Sequence, residues 1–203
     1  MDRRTFLRAT VAFASFPVLN SFGQGIQTAQ VNLGSVIKAY KSQNCPAWCW
    51  AASISMLFRL YGHPIDQTAI AKVVYGPNPP CKTAQPSAIL KLLNRRWTDD
   101  NGDDFSCRTT SLYDSFAEID NFTPQNAVDN LTNGDAMLLC TTHHCMVLTG
   151  IQYINTSAGP NIVVMGVADP WPSSSGLRNL AVPEGRKITG GGQMTILATV
   201  DVN

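Results

Sequence analysis

The chain has 203 residues, of which 44% are hydrophobic and only 14% are charged. This apolar content excludes a disordered polyelectrolyte, because the chain can bury enough surface to offset its ordering entropy. Without residues 1–23 the charge balance is 12 Lys and Arg against 13 Asp and Glu, or −1, so nucleic acid is not an expected partner. No run of about 18 uncharged apolar residues occurs, so stable membrane insertion is not expected either.

Residues 1–23 are expected to be a removable export signal. Residues 3–7, Arg-Arg-Thr-Phe-Leu, resemble the twin-arginine signal, and a short apolar stretch over 9–19 follows them. Small residues up to Gly23 offer a cleavage site. We therefore expect one domain over 24–203, located in the periplasm or secreted. The alternative is an amphipathic N-terminal helix of a cytosolic protein.

Helices dominate the first half of the remaining chain. Between Pro46 and Gly62 apolar residues recur at helical spacing and occupy nearly every face of the predicted helix. This pattern predicts a buried helix that begins close to Cys49. Further helices are predicted over 67–74, 86–94 and 125–131, with Asp66 capping the first of them and Thr123 the last.

Strands dominate the second half. They are predicted over 105–110, 136–141, 145–154, 162–168 and 194–202, with one short strand earlier around 30–33 and an acidic, turn-rich stretch over 97–104. Helices followed by antiparallel strands predict an α+β domain with two lobes.

Four residues in this pattern suit nucleophilic catalysis by a thiol. Cys49 lies at the predicted helix start, where the peptide dipole stabilises a thiolate. Gln43 precedes it by six residues, so its amide is a candidate oxyanion donor beside the Cys49 backbone N–H. His144 opens one predicted strand and Asp169 follows the next, so neighbouring strands can place a base beside the group that orients it.

These residues resemble the active-site segments of papain-like cysteine peptidases. Gln43 and the run Cys49-Trp-Ala have the family's spacing around the nucleophile, and His144-x5-Gly150 resembles its histidine segment. Asp169-Pro resembles the third motif of compact bacterial branches. The spacing to Gly150 selects His144 over its neighbour His143. The three motifs occur in the family's order, over roughly residues 40–172.

The resemblance implies the papain-like cysteine proteinase fold, with an N-terminal helical lobe and a C-terminal antiparallel sheet or half-barrel. It also implies an enzyme that hydrolyses peptide or isopeptide bonds of a protein or peptide substrate through a Cys49 acyl-enzyme. We separately expect a monomer. The resemblance implies no metal and no organic cofactor. Two departures stand out: Cys45 lies four residues before Cys49 rather than three, and Asp169 replaces the Asn of papain itself.

The remaining cysteines leave alternatives open. Connectivity cannot be read from sequence. By analogy with papains, in which a disulfide fixes the same helical lobe, we favour a Cys45–Cys81 bridge. Cys140 and Cys145 could form a second bridge across a strand connection, which would leave Cys107 unpaired. Alternative hypotheses are a redox pair formed by Cys45 and Cys49 and a metal site within residues 140–145. A catalytically silent or redox-gated binding module, and a transamidase that uses the same triad, also stay open.

Overall fold

The computed structural model of the protein describes residues 25–172 and 176–203. The predicted signal segment, residues 1–23, lies outside the described residues. The described part combines helices with one antiparallel sheet, which confirms the predicted α+β class.

Five α-helices occur in the described residues. They are α1 (Leu33–Ala39), α2 (Cys49–Leu60), α3 (Gln67–Tyr75), α4 (Pro86–Leu92) and α5 (Pro124–Asn133), and a short 3-10 helix (Ile188–Gly190) follows later. Residues 49–58 of α2 are all buried, as its apolar pattern predicts. This helix is therefore the centre of the helical part of the core.

The predicted caps delimit two of the other helices. The Asp66 side chain accepts a hydrogen bond from the Thr68 backbone N–H at 2.8 Å and begins α3. Thr123 and Asn126 form a reciprocal capping box at the start of α5, and Gly134 ends that helix with a φ of 91°. A positive φ of this kind is one that glycine adopts without steric cost.

The sheet contains nine strands within the described residues. They are β1 (Gln27–Gln30), β2 (Arg95–Thr98), β3 (Asp104–Asp114), β4 (Ile119–Asp120), β5 (Met137–Thr141), β6 (Cys145–Thr156), β7 (Gly159–Ala168), β8 (Leu177–Asn179) and β9 (Met194–Val202). Their order is β2-β3-β9-β5-β6-β7-β8, with β1 paired to β6 and β4 to β3. Every pairing between these strands is antiparallel.

The core lies between α2 and the middle of the sheet. All residues of β5 are buried, and so are residues 145–148 at the start of β6. Helix α2 packs against both strands. A strand that is buried on both faces loses the polar alternation of a solvated strand, so β5 is almost continuously apolar. This packing brings the start of α2 close to the start of β6.

Two predictions about the strands are corrected by the structure. The short strand expected around 30–33 occupies Gln27–Gln30 instead, because the Asn32 side chain caps a helix that begins at Leu33 and accepts from the Ser35 N–H at 3.1 Å. The stretch over 97–104 is not all turn. Its beginning belongs to β2, which pairs with β3 and buries Trp97.

No helix in the described residues combines the length and apolar character needed to cross a membrane.

Candidate active site

Cys49 is the first residue of α2. It is buried and is not part of a disulfide. The N-cap residue, Trp48, provides no side-chain hydrogen bond to the first turn, and no acidic residue lies there. The backbone N–H groups of this turn have no acceptor within the helix, so the positive end of the helix dipole faces the Cys49 thiol.

The loop before Cys49 is anchored to the segment around Cys81. The predicted Cys45–Cys81 disulfide is present. The Trp48 indole N–H donates to the Pro80 carbonyl at 3.0 Å, and the Trp50 indole N–H donates to the Lys82 carbonyl at 3.2 Å. These contacts fix the position of the first turn of α2.

His144 lies at the end of the tight connection between β5 and β6. The predicted Cys140–Cys145 disulfide closes this connection at its base, where the two residues are cross-strand partners. Inside it, the Thr141 hydroxyl accepts hydrogen bonds from the backbone N–H groups of His143 and His144 at 3.4 and 3.2 Å. His143 is exposed, whereas the His144 side chain is only 18% exposed.

Asp169 follows β7 and accepts a hydrogen bond from His144. The distance from His144 Nε2 to Asp169 Oδ1 is 2.6 Å. The Trp171 backbone N–H donates to the same oxygen at 2.9 Å. Because Nε2 is engaged, Nδ1 is the ring nitrogen left for Cys49, which is close enough to raise the pKa of the imidazole. The structure therefore brings Cys49, His144 and Asp169 together in a row.

The electrostatics favour an ionised pair of His144 and Asp169. Burial by itself lowers the pKa of His144, but hydrogen bonds and charge interactions with Asp169 and Cys49 outweigh it and raise the pKa to about 9. Burial likewise raises the pKa of Asp169, and the hydrogen bonds from His144, Arg178 and the Trp171 backbone overcome it and lower the pKa to about 2. A carboxylate beside an imidazolium is thus the stable arrangement at neutral pH.

Trp171 covers one edge of this row. Its ring meets the His144 ring edge to face, with the centroids 6.2 Å apart. Trp171 is 43% exposed, so it packs against the imidazole while remaining in contact with solvent.

Gln43 is buried in the loop before Cys49, but its amide is already engaged. Nε2 donates to the Cys45 carbonyl at 3.0 Å and to the Pro46 carbonyl at 2.8 Å. An amide nitrogen has two hydrogens, so these bonds use both. The carbonyl Oε1 is buried and has no hydrogen-bond partner in the described part of the chain. The predicted oxyanion role requires one N–H of Gln43 to leave a loop carbonyl when substrate binds, and it stays a prediction.

Sequence reasoning missed two charged residues next to the row. Arg178 of β8 donates through Nε to Asp169 Oδ2 at 2.7 Å, and its terminal nitrogens bind both oxygens of Glu184 at 2.7 and 2.8 Å. No local motif marks them. The available signal was the short segment after Asp169-Pro170 that forms β8. A hairpin at this point brings β8 back alongside β7 and so places Arg178 near the Asp169 carboxylate.

The disulfides also bear on two alternative hypotheses. Cys45 is bonded to Cys81 and therefore does not form a redox pair with Cys49. Cys140 and Cys145 are bonded to each other, so neither offers a thiolate to a metal. Cys107 is the other free cysteine among the described residues, and burial raises the pKa of its thiol to about 12. No group of three or more His, Cys, Asp or Glu side chains within residues 25–172 and 176–203 is arranged to hold a metal ion.

Two comparisons with known proteins bear on the site. A search of curated proteins finds no match to this chain. A family model described as the Peptidase_C39 like family matches residues 37–188, a span that includes Gln43, Cys49, His144 and Asp169. This match supports a relationship to papain-like cysteine peptidases and indicates a cysteine peptidase that acts on protein substrates. The chain belongs to the Peptidase_C39 like family.

Proposed function

We propose that this protein is an exported cysteine peptidase in which Cys49 is the nucleophile, His144 the general acid and base, and Asp169 the group that orients His144. The observation that carries the proposal is the row itself. A free cysteine at an uncapped helix start lies beside an imidazole whose far nitrogen binds a buried carboxylate. This is the arrangement that activates a thiol nucleophile.

In the first half of the reaction, the Cys49 thiolate attacks the carbonyl carbon of a peptide or isopeptide bond. The developing oxyanion is bound by the Cys49 backbone N–H and by the Gln43 amide once that amide turns from the loop carbonyls. Protonated His144 donates its Nδ1 proton to the leaving amine as the carbon–nitrogen bond breaks. An acyl-enzyme thioester and a free amine result.

In the second half, water replaces the amine. Neutral His144 takes a proton from the water, the hydroxyl adds to the thioester carbon, and the carbon–sulfur bond breaks to give a carboxylic acid and the thiolate. Throughout both halves Asp169 stays ionised and holds Nε2, which keeps Nδ1 towards the sulfur. An amine acceptor in place of water would make the enzyme a transamidase.

The two free cysteines of the described residues provide a matched test of this proposal. The intact, non-reduced protein would be incubated with a diverse peptide mixture, and new termini would be identified by mass spectrometry. We expect Cys49→Ala to abolish cleavage and Cys107→Ala to leave it within about twofold, because Cys107 lies on β3, where it pairs with β2 and β9 rather than with the strands that carry His144 and Asp169. Cleavage that survives in Cys49→Ala would overturn the proposal, and amine-linked products would indicate transamidation.

We also propose that the protein reaches the periplasm or the exterior by twin-arginine export. The support is the Arg-Arg-Thr-Phe-Leu run over 3–7 and the two disulfides, which persist in oxidising compartments. Cell fractionation of the full chain tests this. The Arg3→Lys, Arg4→Lys double variant should remain in the cytosol, and equal export of both proteins would contradict the proposal.

A further inference from the structure

Asp169 is held from two sides. His144 and the Trp171 N–H bind Oδ1, while Arg178 Nε binds Oδ2 at 2.7 Å. The Asp169 side chain is 5% exposed and the Arg178 side chain 29%. The ion pair between them is therefore largely shielded from water and is screened less than a surface pair.

Arg178 is itself fixed by contacts on its far side. Both of its terminal nitrogens bind Glu184 in a two-point contact, and Nη2 also contacts Met146 Sδ at 3.2 Å. The Glu184 carboxylate is held in turn by the Ala181 N–H at 2.8 Å. A guanidinium bound in this way has little rotational freedom, so it holds its partner in one orientation.

The backbone of the sheet places Arg178 next to Asp169. In the β7–β8 ladder Arg178 is the partner of Val167, two residues before Asp169. The Asp169 N–H continues the pairing by donating to the Gly176 carbonyl at 2.7 Å. Side chains two residues apart on a strand lie on the same face, which is why Arg178 reaches the carboxylate beyond its own partner.

We infer that Arg178, held by Glu184, is a positioning residue that fixes the Asp169 carboxylate towards His144 and keeps it ionised in acid. This inference rests on the proposed catalytic row. Among the described residues, the charged and titratable groups that face Asp169 are His144 at the start of β6, Arg178 of β8 with Glu184 behind it, and Tyr40, whose hydroxyl donates to the Asp169 backbone carbonyl at 3.1 Å. Cys49 faces His144 from α2.

The inference predicts a pH-dependent defect. The guanidinium stays protonated at every working pH, so it stabilises the ionised carboxylate even in acid. Without it, the pKa of the buried Asp169 carboxyl rises. A protonated Asp169 has lost the charge that favours protonated His144 and keeps only its carbonyl oxygen as a weaker acceptor, so the His144 ring is held less firmly towards Cys49 at low pH.

The experiment measures the alkylation rate of Cys49 by iodoacetamide in the intact, non-reduced protein from pH 4 to 7. For Arg178→Met we expect the rate to fall about twofold at pH 7 and about tenfold at pH 4 relative to the wild type. Arg178→Lys, which keeps the charge, should restore most of the rate at pH 4. Arg108→Met is the matched control, because it removes an exposed arginine from its ion pair with Asp201 and should change nothing.

Two further variants keep the test decisive. Arg178→Gln is neutral but retains hydrogen-bonding groups, and it should show the same pH-dependent loss if Arg178→Met does not fold. In an Asp169→Asn background, Arg178→Met should add no pH-dependent loss, because the arginine acts through the carboxylate. A loss that is equal at pH 4 and 7, or that the lysine variant does not restore, would show a structural role only and would overturn the inference.

The outcome also separates this inference from the proposed function. If wild-type Cys49 reacts no faster than an ordinary thiol at low pH, the catalytic row itself is wrong. If wild-type Cys49 reacts rapidly and the Arg178 variants match it at every pH, the row stands and the positioning role is wrong.

Discussion

The two sides of the candidate site differ in how completely their polar groups are satisfied. On the sheet side, Asp169 accepts from His144, Arg178 and the Trp171 backbone, and Arg178 is bound to Glu184. On the helix side, α2 has no side-chain cap and Gln43 Oε1 is buried without a partner among the described residues. The proposed base is thus organised before substrate arrives, whereas groups around the proposed nucleophile, Cys49, are left to form hydrogen bonds with a substrate.

This difference indicates where substrate binding changes the enzyme. A group whose hydrogen bonds are all formed gains little stabilisation from a new ligand. An unpartnered buried oxygen and backbone N–H groups without an acceptor gain much more, because a ligand can supply the missing hydrogen bond. We therefore expect the helix side to rearrange on binding and the sheet side to remain as it is.

The largest effect is expected from removing the base on the sheet side. His144→Ala should lower kcat/KM for peptide cleavage by about 10³-fold, the typical contribution of a positioned acid and base. His143→Ala is the matched control, because His143 is the exposed neighbour and should change the rate by less than about twofold. If both variants lost activity equally, the choice between the two histidines would be wrong.

A smaller loss is expected from Gln43 on the helix side. If its amide turns to the oxyanion, Gln43→Ala should lower kcat by about 10²-fold and leave KM nearly unchanged. Steady-state kinetics and a thermal melt of the same samples separate this role from support of the loop. A reduced melting temperature with kcat within about threefold of the wild type would mean that Gln43 only holds the Cys45 and Pro46 carbonyls.

The smallest loss of rate is expected from Asp169→Asn. An amide can still accept from His144, as the Asn of papain does, so kcat/KM at pH 7 should fall only about tenfold.

The pH profile is more diagnostic. His144 has a pKa raised to about 9, so the imidazolium, and activity with it, is lost as the pH rises through about 9. Asp169→Asn removes much of that rise and should move the alkaline limb to lower pH, and an unmoved limb would contradict the Asp169 role.

The same raised pKa links His144 to stability. A histidine whose folded pKa exceeds its unfolded value of about 6.5 stabilises the fold fully below that value. This contribution is lost as the pH rises from about 6.5 through about 9. Wild-type protein should therefore lose more stability over this range than Asp169→Asn, as judged by urea unfolding at each pH.

Local signals in the sequence predicted much of the fold. Asp66 and Thr123 mark helix starts, and β9 coincides with its predicted strand at both ends, because capping chemistry and alternation act over a few residues. The predicted Cys45–Cys81 and Cys140–Cys145 bridges are also present.

What the sequence could not predict depends on contacts between distant segments. The Asn32 cap and the short strand β2 fell in stretches where turn residues dominate the pattern. The Arg178 contact with Asp169 needs the β7–β8 pairing, which no periodicity in a three-residue strand indicates. The orientation of the Gln43 amide depends on which carbonyls its loop presents, and this is set by tertiary packing around the Cys45–Cys81 bridge.

The most direct test of the account compares the two free cysteines within one molecule. The folded, non-reduced protein would be alkylated at about pH 5.5, and the modified residue identified by peptide mass spectrometry. An ordinary thiol has a pKa near 8.5 and barely reacts at this pH. We expect rapid modification of Cys49 alone, slowed by His144→Ala, with Cys107 unmodified. A Cys49 that is inert at this pH, or whose reaction is unchanged by His144→Ala, would contradict this expectation.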